Sequence, residues 1–536
     1  MPKIKLRPRY RKALTPALII CFIVAVILII VFNKAFFQSV FKREVTIKPE
    51  YLENESEELW VSRYNGPADG NDWAKALVVD GFGNIYVTGE SEGKTTGKDV
   101  ATIKYNGKGD ALWVKRYNGP VNGDDWGAFL AIDESGNVYL AGGSEGEGTG
   151  LDYLTIKYTP SGEVIWMKRY NGSGNSSDRA SALAIDDSGN VYLTGESEGE
   201  GSGFDYATLK YDKNGEIVWV RRYNGSENRN DCAYALAVDA YGNVYLTGYS
   251  YGGSTRSDYL TLKYNTSGDL LWVKRFDGSQ NSVDRAYALA VGISGDVYVT
   301  GYSHGDQTDK NILTIKYNSY GKLLWTKKYN GSANGLDWTH ALTLDSSGNV
   351  YVAGQSHGVV TGSDFVTIKY NPSGDTLWVR IYEGPGNHND WDLAHAIAVD
   401  DFGSIYVTGE SQGTGTDLDY ATIKYDLSGD LLWVRRYNQP SIDNAFALAV
   451  DPSGNVYVTG FSYGPGTTSD YATIKYGQFI RGDVNGDKTI DLADAIYLAN
   501  YLLKGGGQPP VPISRANSNR DDAVNLLDVI HIVSYY

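Results

Sequence analysis

Sulfur and histidine are scarce in this sequence. Its 536 residues hold two cysteines, two methionines and six histidines. Two cysteines build no disulfide framework, and Cys21, in an apolar run, is a poor partner for the distant Cys232. The histidines (His304, His340, His357, His388, His395 and His531) do not recur at a fixed interval, and no His/Cys/Asp cluster has metal-ligand spacing. No G-x-S-x-G nucleophile motif stands in a strand-to-helix context. Positive charge is in deficit: 48 Lys and Arg face 64 Asp and Glu, a net charge of −16. That balance argues against nucleic acid, which is held by a basic face, and suits solubility and cation binding. What is abundant is glycine (63) and tyrosine (42), a composition for many strands joined by tight turns.

The start of the chain is dense in basic residues. Residues 1–12 carry Lys3, Lys5, Arg7, Arg9, Arg11 and Lys12, and residues 13–32 follow as an uncharged apolar run. About 20 such residues span a bilayer as a helix, and Pro16 lies in the first turn, where a helix tolerates it. The pattern predicts a transmembrane helix or signal segment over 13–32, with the cytoplasmic basic segment 1–12 before it and everything downstream outside. Residues 33–57 read as a polar spacer.

From Glu58 the chain repeats. Trp60, Trp113, Trp166, Trp219, Trp272, Trp325, Trp378 and Trp433 each mark a segment of the LWVKRYNG type; the first seven are 53 residues apart and the last gap is 55. A fixed period in this range signals a solenoid or a propeller. Each unit holds four β-patterned runs. Two of the connections are short and rich in Gly, Asn, Ser and Asp, as at Asp133–Asn137 and Thr159–Glu163. Four short antiparallel strands per unit describe a propeller blade. Small residues favour the ALAVD run (Ala235–Asp239) as innermost, followed by VYVTG, ATIKY and an outermost LWVKRYNG. Read this way, the array opens on an outer strand without a blade and closes on a blade without its outer strand. The expected fold is an all-β, eight-bladed β-propeller of four-stranded blades over 58–476, with the N-terminal strand closing the last blade and removing a free sheet edge. D-x-x-G-N-V-Y-V-T-G at Asp451–Gly460, followed by D-Y-x-T-I-K-Y at Asp470–Tyr476, resembles the SBBP-type bacterial β-propeller repeat. That family is associated with seven-bladed rings, whereas eight units are present here.

After Tyr476 the composition changes, and residues 477–536 read as a small α-helical domain of paired calcium loops. Oxygen ligands stand at calcium-loop positions in Asp483, Asn485, Asp487, Asp491 and Asp494, with the Thr489 backbone carbonyl between them. A second loop offers Asn517, Asn519, Asp521, Asn525 and Asp528, with the carbonyl of Ala523. It holds fewer carboxylates and predicts weaker binding, so one to two Ca2+ ions are expected. Neither loop has glycine at its sixth position, where Lys488 and Asp522 stand. The tandem loops, each with Asp at position 12, resemble a type I dockerin. The resemblance implies docking onto a cohesin module, with Leu492, Ala493, Leu526 and Leu527 at the positions that help choose the partner.

One further slot recurs. An Asp precedes each inner strand, and the residue after it varies: Trp73, Trp126, Arg179, Cys232, Arg285, Trp338, Trp391 and Asn444. Trp73, Trp126, Arg179, Arg285, Trp338 and Trp391 form a candidate ligand face, on which Trp faces suit sugar rings or peptides. The simpler reading, favoured here, makes the Asp a turn cap and its neighbour a wedge between blades. Together these features predict an exported, non-enzymatic propeller scaffold or binding protein, extracellular or at the cell surface. It would be tethered through the calcium-dependent module to a cohesin-like partner. The alternative is a carbohydrate-binding or polysaccharide-degrading component that uses the propeller face.

Overall fold

A computed structural model describes residues 56–478, apart from 254–255, 279–281, 306–308, 387–389, 465 and 467, together with Asp494 and 496–498. Residues 56–478 form one unit; residues 1–55 and 479–536 fall to another.

Thirty-two strands run through the first unit. β1 (Ser56–Tyr64) is followed by β2 (Asp72–Val79), β3 (Ile85–Glu92), β4 (Lys98–Tyr105) and β5 (Ala111–Tyr117). β2 to β5 form one antiparallel sheet in chain order, and the same four-strand arrangement repeats. Innermost strands neighbour one another in cyclic order, from β2 round to Asp443–Val450 and back to β2, so the sheets close into a ring. β1 does not join the sheet that comes next in the chain. It pairs antiparallel with the last strand, from Ser56 opposite Gln478 to Tyr64 opposite Tyr471, as the outer strand of the final sheet.

The fold class expected from the sequence needs correction on two points. A membrane-spanning helix takes about 20 residues, and no helix among the described residues is long and apolar enough to cross. Helical structure there is confined to Asp494 and 496–498. One turn does not make the pair of packed helices of the expected calcium domain, so the described structure is all-β. Residues 1–32 and the calcium loops other than Asp494 lie outside the described residues.

The core lies between blades. Val and Ile alternate with Tyr on the second and third strands, and side chains of one blade pack on the next: Tyr86 and Val100 lie against Val138, Leu140, Leu154 and Ile156. The recurrent Trp fills the same seam. Trp113 sits between Tyr86 and Tyr158 and donates from Nε1 to the Pro160 carbonyl of the following blade at 3.2 Å. Gly162 makes room for it. Its φ is +84°, and a Cβ there would come within 3.0 Å of the Trp113 ring.

The D-x-x-G-N hairpins are held by one carboxylate each. Asp133 accepts from the amides of Ser135 and Asn137 and from the side chains of Asn137 and Tyr139. These bonds hold its carboxyl below the usual range, although burial opposes them.

Candidate binding site on the inner wall of the ring

An Asp at or near the start of each innermost strand (Asp72, Asp125, Asp178, Asp231, Asp284, Asp337, Asp392 and Asp443) is buried and structural. Asp72 accepts from the Gly66 amide at 2.6 Å. It is the first member of a polar row crossing the blade from inside to outside: Asp72 faces Ser91, and Ser91 faces Asp99. Arg116 of β5 closes the row, 2.7 Å from Asp99 and bonded to the Ser91 side chain and carbonyl. The row recurs as Asp178, Ser197, Asp205 and Arg222. Burial is the main cause raising the carboxyls of the innermost Asp residues, opposed by their hydrogen bonds; Asp284 and Asp443 are pushed up to about 6. Two blades depart from the pattern. Asn311 stands in the third-strand place of one. In the next, Ile381 stands where the arginine belongs, and burial pushes Asp364 up to about 6. Among the described residues one acidic trio, Asp258, Asp277 and Asp284, lies within 4.8 Å, and Asp258 is already ion-paired with Arg275 at 3.0 Å.

The residues after the slot Asp divide into two kinds. Trp73 stacks on Phe461, with ring centroids 5.2 Å apart, and donates to Ser469 at 2.7 Å. Trp126 lies over Gly143, where a Cβ would come within 2.6 Å of its ring. These act as wedges. Arg179 pairs with Glu196 at 2.9 Å, and Cys232 is buried against the same Glu196 and Tyr249. Arg285 lies over the Tyr249 ring, and Trp338 packs near Tyr302 and His340.

Trp391 is not in the slot. The Gly384 amide donates to Asp392, eight residues on, where six other blades span six and the last spans four, and Leu393 faces Glu410. The wider Trp378–Trp433 gap therefore comes from two residues inserted ahead of this strand. Asp390 and Trp391 pair parallel with Gly362 and Ser363 of the preceding blade, which joins two four-stranded sheets into one. Trp391 stands 44% exposed, 3.2 Å from Glu410 through Nε1.

The wall itself is made two residues further along, at positions the sequence reading did not single out. Each innermost strand carries a bulge there: pairing runs from Ala74 to Ala76 and skips Lys75. The skipped residue is Lys75, Ala128, Ser181, Tyr234, Tyr287, His340, His395 or Phe446. Larger members touch from blade to blade. Ring centroids lie 5.1 Å apart for Tyr234–Tyr287, 5.3 Å for Tyr287–His340, 6.1 Å for His340–His395 and 5.4 Å for His395–Phe446. Lys75 continues the belt, its Nζ 4.5 Å from the Phe446 ring. All are half-buried. Burial pushes His340 down to about 4, helped by His395, and lowers Lys75. The signal for the bulge was the glycine of VYVTG. A Cβ on Gly89 would lie 1.9 Å from the Trp73 carbonyl, and glycine inside a strand marks such a site.

Of the expected metal ligands only Asp494 is described; it is buried in a helical turn. The other expected ligands, and Leu492, Ala493, Leu526 and Leu527, lie outside the described residues.

Comparison with known proteins bears on both parts. An uncharacterised WD repeat-containing protein of Acanthamoeba polyphaga mimivirus is 21% identical over 451 residues, covering 68% of this chain and 31% of that protein. The Regulatory protein FlaEY of Caulobacter vibrioides is 31% identical over 116 residues, covering 19% of this chain and 12% of that protein. The chain thus spans less than a third of the length of either relative. The WD40 domain of SCAP from fission yeast aligns over 81% of this chain and 97% of its own, with 11% identity and a TM-score of 0.43. Residues 60–94, 165–201, 325–359 and 432–466 match the Beta-propeller repeat, SBBP, and residues 481–535 match the Dockerin type I domain. The chain therefore carries SBBP beta-propeller repeats and a C-terminal Dockerin type I domain.

Proposed function

We propose that this chain is an exported, non-enzymatic binding protein that presents its propeller on a cohesin-bearing or cell-surface assembly. The Dockerin type I match over 481–535 is the observation that carries this reading. Dockerin domains bind cohesin modules, generally hold calcium and are typical of extracellular or cell-surface proteins. Here Asp483, Asn485, Asp487, Asp491 and Asp494, with the Thr489 carbonyl, would supply the stronger calcium loop, and Asn517 to Asp528 the weaker. Leu492, Ala493, Leu526 and Leu527 would face the partner. A second reading, the propeller as a carbohydrate-binding component, is favoured by the aromatic belt on the inner wall.

The test is binding of the full chain to immobilised type I cohesin modules, with calcium and with chelator. Calcium-dependent capture, lost in Asp483→Ala/Asp487→Ala while the propeller melts unchanged, supports the proposal. Capture by no cohesin, or capture indifferent to chelation, refutes it.

A further inference from the structure

The inner wall carries cations that differ from those of the rest of the ring, where lysines on tyrosine faces donate to carbonyls, as Lys104 does to Pro160 and Lys263 to Ser319. Every arginine closing a polar row meets a carboxylate, as Arg222 meets Asp205 and Arg436 meets Asp419. On the wall, Lys98 and Arg179 are paired with Glu90 and Glu196. Lys75, Arg285 and Lys310 differ. Each lies on aromatic faces: Lys75 Nζ 4.7 Å from the Trp73 ring, Arg285 Cζ 4.5 Å from Tyr249, and Lys310 Nζ 4.4 Å from both Tyr302 and Trp338. Among the described residues none of the three forms an ion pair. In a chain with a net charge of −16 this is a local excess of positive charge, and such a wall draws anions.

Beside Arg285, in its own blade and the next, some buried polar atoms lack a hydrogen-bond partner among the described residues. Trp338 Nε1, Arg285 Nε and Gln355 Oε1 are buried and make no hydrogen bond among the described residues. Buried polar atoms are nearly always paired, so these three, set beside the aromatic belt, leave bonds for a ligand or its water to make. Aromatic faces with a few convergent polar groups are the usual lining of a small-molecule site.

We infer that Arg285, Lys310 and Lys75, with the belt from Tyr234 to Phe446, form a binding site for an acidic saccharide, one whose rings carry carboxylates. Ring faces of the sugar would lie on the belt, hydroxyls would meet the unpaired donors and acceptors, and carboxylates would meet the three cations. A peptide added as a strand fits less well, because the bulge in each innermost strand breaks the ladder that a new strand would extend. Small residues at the belt positions of two blades, Ala128 and Ser181, leave one side open for entry. The inference rests on reading the propeller as a binding module and is independent of the docking half.

Isothermal titration of the full chain with a galacturonate oligomer and with a neutral cello-oligomer tests it. The galacturonate binds at least about tenfold tighter and loses affinity as salt rises. Arg285→Met and Lys310→Met each weaken it by about tenfold, the worth of one charge-assisted bond, with unchanged melting. Lys75→Met serves where either variant fails to fold. No binding of either oligomer, equal binding of both, or variants that bind galacturonate like the parent overturns the inference. Cohesin capture on the same preparation separates the two proposals: capture without saccharide binding removes only this one.

Discussion

The seam of the ring depends on one guanidinium. Arg63 of β1 lies 407 residues from Asp470 in sequence, yet its Nη2 is 2.9 Å from that carboxylate. It also donates to Tyr437 at 3.0 Å, to the Ser462 hydroxyl at 2.7 Å and to the Ser462 carbonyl at 2.6 Å. Arg63→Leu leaves Asp470, 4% exposed, without its counter-charge. Breaking a buried pair costs about 3–5 kcal/mol; the Arg63 side chain is 27% exposed, so water reaches the site and the lower end applies. A loss of about 3 kcal/mol is on the order of a hundredfold in an opening equilibrium. The strand that opens is β1, which is paired along its backbone with the last strand alone and is held besides by side-chain bonds such as Arg435 to Ser56 and Ser62 to Gly109. Amide hydrogen exchange reads this directly: β1 amides exchange about a hundredfold faster in Arg63→Leu. Arg222→Leu removes an equivalent pair inside a blade remote from the seam and leaves β1 protection unchanged. Unaltered β1 protection in Arg63→Leu, or equal loss in Arg222→Leu, refutes the clasp argument.

Other consequences follow from the irregular blades. Ile381→Arg supplies the guanidinium missing beside Asp364 and stabilises the ring by about 1–2 kcal/mol at neutral pH, measured by denaturant unfolding. Burial pushes Asp284, Asp364 and Asp443 up to about 6, above the ordinary carboxylate value of about 3.9. The folded state therefore holds these protons more tightly, and stability falls as pH rises from about 4 through 6. Asp364→Asn flattens that slope; an unchanged slope counts against the argument. Trp433 is fully buried, and Trp433→Ala costs about 3–5 kcal/mol, whereas the exposed Trp391 tolerates alanine at less than about 1 kcal/mol. Thermal melts of the two variants separate them.

The parts of this structure that could be read from sequence are those set by period. The interval of 53 between tryptophans, the order of the β runs and the unpaired LWVSRY at the start are local patterns, and the pairing of β1 with the last strand follows from counting them. Lateral contacts were not legible. Asp72, Ser91, Asp99 and Arg116 recur at the same interval as everything else, and nothing in the chain order says that they meet across four strands. The 55-residue gap was visible, but which side of the slot held the two extra residues was not, and that placed Trp391 in the wrong position. The glycine of VYVTG stands inside a β run, and the bulge opposite it, and with it the wall, shows only in the strand register. The apolar run and the calcium loops mark the opposite limit: they lie outside the described residues but for Asp494, and helix among the described residues is confined to Asp494 and 496–498.

The repeat also explains why the wall is where function should be sought. A residue in a polar row is bound on several sides: exchanging Ser197 disturbs Arg222 and its neighbours at once. A residue between blades must fit two cores. The bulged position has neither constraint. Its backbone is bulged opposite the neighbouring strand's glycine, its register partner is skipped, and its side chain meets the next bulge round the ring and one ring of its own blade, as Tyr234 meets Tyr287 and Tyr249. Eight nearly equivalent scaffolds therefore offer eight independently variable side chains on one surface. In this chain they run from alanine and serine through tyrosine and histidine to phenylalanine and lysine. Grafting Ala at Tyr234, Tyr287 and Phe446 together removes most of the belt without touching a polar row. The expected result is a ring that keeps its cooperative melt and loses its ligand; a ring that unfolds instead would make the belt part of the core and the site a plug.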